Sequence, residues 1–206
     1  SSPVQYGERI LSLSSLLNVS FGISYAKITT LFSDLFQCSF NVSTALSATD
    51  TVYNLLAPYQ AEIIEHICTS QVAHFDESGM RVAGSLHWFH IASTDLFSHL
   101  FVHKSRGAIA LNSEESPLRN FKNWAIHDCW ASYFNFEACN HAICNAHILR
   151  ELAALKEQKS LWATKMHKFL SALYKATHYG KNNVKNPKVW IKNYEKIAKK
   201  QIEKNL

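Results

Sequence analysis

The spacing of apolar residues changes twice along this 206-residue chain, and this change limits its fold more than any other feature. Up to about residue 69, apolar residues recur every three or four positions, as on the buried face of a helix. From residue 71 to about 144, the apolar segments are short and rich in aromatic and β-branched residues, as in strands. Helical spacing returns at Asn145. The order predicts an α/β protein in which a mixed sheet is preceded and followed by helices.

Residues 1–70 are predicted to form a helical segment. Ser24 and Ser43 are candidate caps of the second and third helices, and the pattern breaks at Gln37–Asn41 between them. Pro58 is predicted to kink or split the third helix. The two helices on either side of the break suit either a helix-turn-helix that enters a DNA groove or ordinary helical packing.

Residues 71–155 carry the strand signals. Three strands followed by strands that alternate with short helices predict a mixed sheet, with a turn at Gly84-Ser85 and a short helix over 106–113. The predicted strands are Val72–Asp76, Leu86–Ser93, Phe97–Lys104, Trp124–Asp128 and Ala138–Cys144.

Positive charge is concentrated at one end of the chain. The net charge is +5, and residues 156–206 contain 13 Lys but only three Glu. We predict helices there, with a polar loop at 180–188 and a last helix from about Val189 to Glu203. A basic segment on an acidic body indicates an anionic partner, usually nucleic acid, although a solvated Lys-rich helix face is the alternative. The candidate phosphate contacts are Lys104, Arg106, Lys192, Lys196, Lys199 and Lys200.

The cysteine content and the lack of long apolar runs indicate in which cellular compartment the chain is expected. Five Cys are an odd number, and Ser1-Ser2-Pro3 does not begin a secretory signal. A reducing cytoplasm is therefore expected rather than a disulfide framework. Since no apolar run approaches 18 residues, no membrane-spanning helix is expected.

Asp76 and Asp128 are the candidate catalytic residues. Each comes at the end of a predicted strand, and functional sites of α/β sheets assemble at strand ends. If the two strands are neighbours, the carboxylates would bind Mg²⁺ or Mn²⁺ through oxygen, and two such ions suit phosphodiester chemistry. The alternative is that each Asp caps a turn.

A second cluster begins within the predicted last strand and contains Cys139, His141, Cys144 and His147. Soft ligands at such short spacing are typical of half a zinc site. The alternative is a strand–helix junction with buried side chains that brace the site. Nearby Glu151 is either a third acid or part of an exposed helix face.

Several stretches together carry a resemblance, and in this order they are specific. They are Pro3–Gly7, Ser24–Lys27 with Leu35-Phe36, His74–Val82, Leu86–Trp88, Val102–Gly107, His127–Phe134 and His141–Leu152. In these stretches the chain resembles the central part of DDE-type transposases of the insertion-sequence-sixty-six family.

The resemblance implies a ribonuclease-H-like catalytic core at residues 71–155. Asp76 and Asp128 match the first and second catalytic, metal-binding Asp of the family. Cys144 and His147 match a Cys-x-x-His motif that follows the second Asp. The Lys-rich helices of residues 156–206 resemble an insertion that separates this Asp from a final catalytic Glu. The implied function is metal-dependent DNA cleavage and strand transfer.

The family's final Glu lies in an Asn-Asn-x-x-Glu-Arg segment, from which this sequence departs. Asn182-Asn183 is followed by Val184-Lys185-Asn186 instead. The family's zinc-binding segment, expected before residue 3, is also missing. We therefore expect a chain truncated at both ends and inactive by itself, or a DNA-binding remnant without catalysis. The expected partners are DNA (element ends and target) and further copies of the chain, with no membrane, in a bacterial cytoplasm.

Overall fold

A computed structural model describes residues 6–178 and 186–202 of the chain. The chain divides within its third helix into two compact units, Ser1–His66 and Ile67–Leu206. The predicted domain divisions at residues 70 and 155 stay predictions.

The first unit is helical, as predicted. It contains α1 (Glu8–Val19), α2 (Tyr25–Phe36) and most of α3 (Val42–Thr69). Its core consists of Ile28, Phe32, Phe40 and Ala45, all buried. These residues come from α2, α3 and the break between them, so the break is part of the packed structure. Gln37 ends α2 with a φ of 51°, a left-handed conformation common at helix C-termini.

Two details of these helices differ from the sequence prediction. The cap of α3 is Asn41 rather than Ser43, because the Asn41 side-chain oxygen accepts the Thr44 N–H at 2.8 Å and also the Ser43 hydroxyl. Pro58 lies inside α3 and does not split it, while the alternative of a kink stays a prediction. Ser24 caps α2 as predicted, since its hydroxyl accepts the Lys27 N–H.

The cap of α3 provides a stability prediction. Asn41→Ala should lower the free energy of unfolding by about 1 kcal/mol, because an N–H at the start of α3 loses its acceptor. Asn54→Ala is the matched control, since Asn54 is exposed in the interior of α3, where alanine is the better helix former. Urea unfolding measures both. Equal stability of N41A and N54A would contradict the assignment of the cap.

The second unit contains a five-stranded mixed sheet, which confirms the predicted α/β class. Its strands are β1 (Val72–Val82), β2 (Ser85–Ser93), β3 (Ser98–His103), β4 (Trp124–His127) and β5 (Asn140–Ile143). The spatial order is β3-β2-β1-β4-β5. The first three strands pair antiparallel, whereas β4 lies parallel to both β1 and β5. This arrangement is consistent with a ribonuclease-H-like fold.

β1 is longer than predicted, and Asp76 therefore does not end it. Beyond the short stretch paired with β4, β1 stays paired with β2 up to the Val82–Ser85 pair. The turn is Ala83-Gly84 rather than Gly84-Ser85, and both of its residues have positive φ. Such a two-residue turn suits a tight antiparallel hairpin.

Short helices and turns cover one face of the sheet. α4 (Ala108–Leu111) lies within the helix predicted over 106–113, and 3-10 helices form at Pro117–Asn120 and Tyr133–Asn135. Every second residue of a strand lies on the covered face, because successive side chains of a strand point to opposite faces of the sheet. Its buried side chains include Ala73, Phe75, Ala92, Phe101 and Ala125.

Three helices follow the sheet: α5 (Asn145–Glu157), α6 (Leu161–His178) and α7 (Pro187–Ile202). Leu152, Ala163, Met166 and Leu170 form their buried cluster, against which Ile197 packs. Most of the loop predicted at 180–188, including Asn182-Asn183, and residue Glu203 lie outside the described residues.

Candidate active site

Asp76 lies on β1, the central strand of the sheet, and Asp128 comes directly after β4, the parallel neighbour of β1. The pairing of β1 with β4 ends at the His74–Ile126 pair. The same register, continued by two residues, puts Asp76 level with Asp128, which directly follows β4. This continued register relates two acids that are distant in sequence.

The two carboxylates differ in how firmly the protein holds them. Asp76 is exposed, and its Oδ1 accepts the N–H of the next residue at 2.9 Å. The side chain of Asp128 is only 23% exposed. Its Oδ1 accepts the Trp130 N–H at 2.9 Å, and its Oδ2 lies 3.8 Å from Nη2 of Arg106. Asp128 is therefore oriented by two groups, and Asp76 keeps its open side toward solvent.

Glu77, which follows Asp76 in sequence, is buried on the opposite face of β1. Its side chain is only 1% exposed. Oε1 accepts a hydrogen bond from Nε of Arg106 at 2.8 Å, and Oε2 accepts one from the Tyr133 hydroxyl. Sequence reasoning missed this residue. The alternation of side chains along a strand was the available signal, because it puts Glu77 on the same face as Ala73 and Phe75. An acid on a buried face requires partners.

Arg106 occupies a fixed position between two tryptophans. Its Cζ lies 4.9 Å from the ring centroid of Trp88 and 4.1 Å from that of Trp130. A guanidinium group is planar, and it stacks on aromatic faces while it donates hydrogen bonds in its own plane. Arg106 therefore bonds Glu77 and faces Asp128 at the same time. Its predicted contact with DNA stays a prediction.

Tyr133 completes this network from the side of the covered sheet face. Its ring is buried and stacks on His127 with the centroids 4.4 Å apart. Burial raises the pKa of Tyr133 far above its ordinary value, and the hydrogen bond to Glu77 and the charges of Glu77, Asp128 and Asp76 raise it further. The hydroxyl therefore keeps its proton and acts as a donor to Glu77.

The Cys and His residues near β5 form a chain of contacts rather than a metal shell. Nε2 of His127 lies 2.8 Å from Nδ1 of His141, whose Nε2 is 3.9 Å from Sγ of Cys139. Burial lowers the pKa of His127, which favours the neutral ring, and burial raises the pKa of the Cys139 thiol. These groups pack beside β4, the strand that Asp128 follows.

Cys144 and His147 lie where β5 passes into α5. The Cys144 N–H donates to the backbone oxygen of His127 at 2.7 Å, and the His147 N–H donates to that of Cys144 at 3.1 Å. The contacts between this motif and the end of β4 are thus made by the backbone. Across residues 6–178 and 186–202, no three His, Cys, Asp or Glu side chains form a group able to hold a metal ion. The described residues therefore do not support a zinc module.

Lysines form a stripe along α7. Lys188, Lys192, Lys196 and Lys199 follow each other at helical spacing and are all exposed; we call them the lysine stripe. The opposite side of α7 packs on α6, where Ile197 accepts a hydrogen bond from the Trp162 indole through its backbone oxygen. Packing therefore fixes which side of the helix presents charge.

The remaining predicted residues are not gathered at the site. Lys200 also belongs to α7, but its side chain lies outside the described part of the structure. Lys104 is exposed just after β3. Glu151, the weak candidate for a third acid, is exposed on α5.

Comparison with known proteins identifies the family of this chain. A family described as "Transposase IS66 family" matches residues 3–206, which is nearly the whole chain. A search of curated proteins found no match. Membership of a transposase family implies binding to DNA, and none of the described helices is long and apolar enough to cross a membrane. The chain therefore belongs to the IS66 family of transposases.

Proposed function

We propose that this chain is the part of a DNA transposase that carries the first two metal-binding acids, Asp76 and Asp128. The intact protein would cleave phosphodiester bonds at the ends of a mobile element and join them to target DNA. The observation that carries the proposal is the parallel register of β1 and β4, which puts Asp76 level with Asp128 when it is continued by two residues, in a chain of the transposase family.

The two carboxylates suit a magnesium or manganese ion by their chemistry. Mg²⁺ prefers oxygen ligands, keeps several of its waters and is ordinarily held by one or two carboxylates together with substrate phosphates. Asp76 and Asp128 would supply those carboxylates, since both oxygens of Glu77 are already engaged. When bound, such an ion polarises a phosphate and lowers the pKa of a water.

The chain's own residues orient the acids and attract the DNA. The Trp130 N–H and Arg106 hold the carboxylate of Asp128 in one orientation. Asp76 faces solvent, where a phosphate can approach. The lysine stripe supplies positive charge that binds phosphates without reading base sequence.

We further propose that these residues alone do not transfer DNA strands. The family resemblance implies a third acid, and the described residues bring no free carboxylate to Asp76 and Asp128. Glu77 is engaged, and Glu151 is exposed on α5. A longer protein that contains this chain would supply the third acid. Assembly of several copies in a transposition complex stays a prediction.

Titration of the chain with Mn²⁺, followed by electron paramagnetic resonance, tests the metal site. We expect one class of bound Mn²⁺ that Mg²⁺ displaces. Asp76→Asn and Asp128→Asn should each weaken binding by about tenfold or more, because ligand charge sets affinity. Asp95→Asn, which removes an exposed carboxylate in a loop, is the matched control. Unchanged Mn²⁺ affinity in both D76N and D128N would contradict the proposal.

A DNA-binding remnant without catalysis is the second candidate function. It is favoured by the α2–α3 pair, whose break is packed into a core, and by the lysine stripe. Such a protein would bind DNA in a salt-dependent way. The Mn²⁺ titration separates the two candidates, because a remnant would not need Asp76 and Asp128 to form a shared metal site.

A further inference from the structure

The network around Glu77 and Arg106 carries an inference about the candidate metal site, and it rests on the proposed function. The network joins two charges on the covered face of the sheet to Asp128 at its edge. Arg106 donates to Glu77 at 2.8 Å and approaches Asp128 to 3.8 Å. Tyr133 donates to the second oxygen of Glu77. Both carboxylate oxygens of Glu77 therefore accept a hydrogen bond within the network.

The position of Arg106 creates an electrostatic problem for a cation site. A guanidinium group is always charged, and Nη2 of Arg106 is close to one of the two proposed metal ligands. Alone, it would repel a divalent cation held by Asp128. Glu77 removes this problem, because its carboxylate accepts from Arg106 and Tyr133 and is almost fully buried. The pair is neutral together, so Asp76 and Asp128 keep their two negative charges for a cation.

Aromatic contacts also constrain the guanidinium group of Arg106. Its side chain is 37% exposed and lies between the rings of Trp88 and Trp130. Lysine would keep the charge, but its ammonium group lacks the planar, forked geometry with which a guanidinium stacks on aromatic rings and donates to carboxylates. The geometry of the guanidinium group, and not only its charge, is therefore used here.

We infer that Arg106 is a positioning residue that orients the carboxylate of Asp128 toward a bound cation, and that Glu77 balances the charge of Arg106 without itself binding the cation. Because Asp76 and Glu77 are adjacent, sequence position alone does not show which of them would bind the metal ion. The structure assigns them different tasks, because successive residues of β1 face opposite sides of the sheet.

The Mn²⁺ titration of the whole chain tests this inference with variants that alter charge and geometry separately. Glu77→Gln leaves Arg106 unbalanced and should weaken Mn²⁺ binding by about tenfold, through added charge repulsion. Arg106→Lys keeps every charge and should weaken it by about threefold, through a less ordered Asp128. The double variant Glu77→Gln/Arg106→Gln removes both charges and should bind better than E77Q alone.

This partial rescue distinguishes charge balance from a merely structural role. If the network only supported the fold, the double variant would bind no better than E77Q. The matched controls are Glu114→Gln and Arg119→Lys, which change exposed residues of the same types and should leave Mn²⁺ affinity unchanged. Circular dichroism confirms folding of each variant. If E77Q does not fold, R106K against R119K is the deciding comparison.

The outcomes separate this inference from the proposed function. If D128N loses Mn²⁺ binding while E77Q and R106K bind like the wild type, the metal site stands and the role of the network is refuted. If the double variant binds no better than E77Q, the charge-balance role is refuted. If the wild-type chain binds no Mn²⁺ through Asp76 and Asp128, the proposed metal site falls and this inference falls with it.

Discussion

Asp128→Asn and Asp76→Asn should each lower DNA strand transfer by about a thousandfold or more, in a longer protein that joins this chain to the family's third acid. A metal ion contributes several kcal/mol of charge stabilisation to the transition state, and each 1.36 kcal/mol corresponds to about tenfold in rate. Asparagine keeps the shape of the side chain and removes the charge that binds the ion. The loss should therefore be in the rate of the chemical step.

The measurement is joining of labelled element-end DNA to a target plasmid in Mg²⁺. Asp95→Asn is the matched control, because Asp95 is an exposed acid in the turn between β2 and β3. DNA retention by D76N and D128N should stay close to that of the wild type, which separates catalysis from binding. Strand transfer by either variant within tenfold of the wild-type rate would refute the assignment of that acid.

Neutralising the lysine stripe should make DNA binding much less sensitive to salt. Each phosphate contact contributes about −0.9 to the slope of log affinity against log salt, so four contacts account for about −3.6 and for about a 150-fold loss between 50 and 200 mM salt. Alanine at all four positions should remove this part of the slope. The apolar side of α7 stays intact, so its packing on α6 should survive.

A double variant makes the test specific. Lys192→Ala/Lys196→Ala should reduce the slope by about 1.8, since two contacts are lost. The control Lys122→Ala/Lys156→Ala removes the same charge from two exposed lysines outside α7 and should leave the slope unchanged. Fluorescence anisotropy with duplex DNA at several salt concentrations measures both. Equal slopes for the two double variants would show that net charge, and not the stripe, determines DNA affinity.

The fold class was predictable because periodicity reports directly on burial. The helical spacing of Ile28 and the alternation around Phe75 reflect faces that are buried in the structure. Details that depend on pairing were not predictable in this way. β1 stays paired with β2 well past Asp76, and nothing local in the sequence shows how far this pairing extends.

In the candidate site, too, some residues could be predicted from the sequence, whereas others required the structure. Asp76 and Asp128 stand out because each follows apolar strand residues and because the family resemblance marks them. Glu77 and Arg106 are 29 residues apart and meet only through the antiparallel strands, so their pairing required the structure. The position of Arg106 between two tryptophans likewise depends on tertiary packing.

Iron-directed cleavage of the polypeptide tests the shared metal site most directly. Fe²⁺ replaces Mg²⁺ at oxygen sites, and with ascorbate and peroxide it cuts the backbone next to its ligands. We expect two cuts in the wild-type chain, near Asp76 and near Asp128, and excess Mg²⁺ should suppress both. Both cuts should vanish in D76N and in D128N. A cut near one acid that survives Asn at the other would contradict a shared site, and so would the absence of cuts near both.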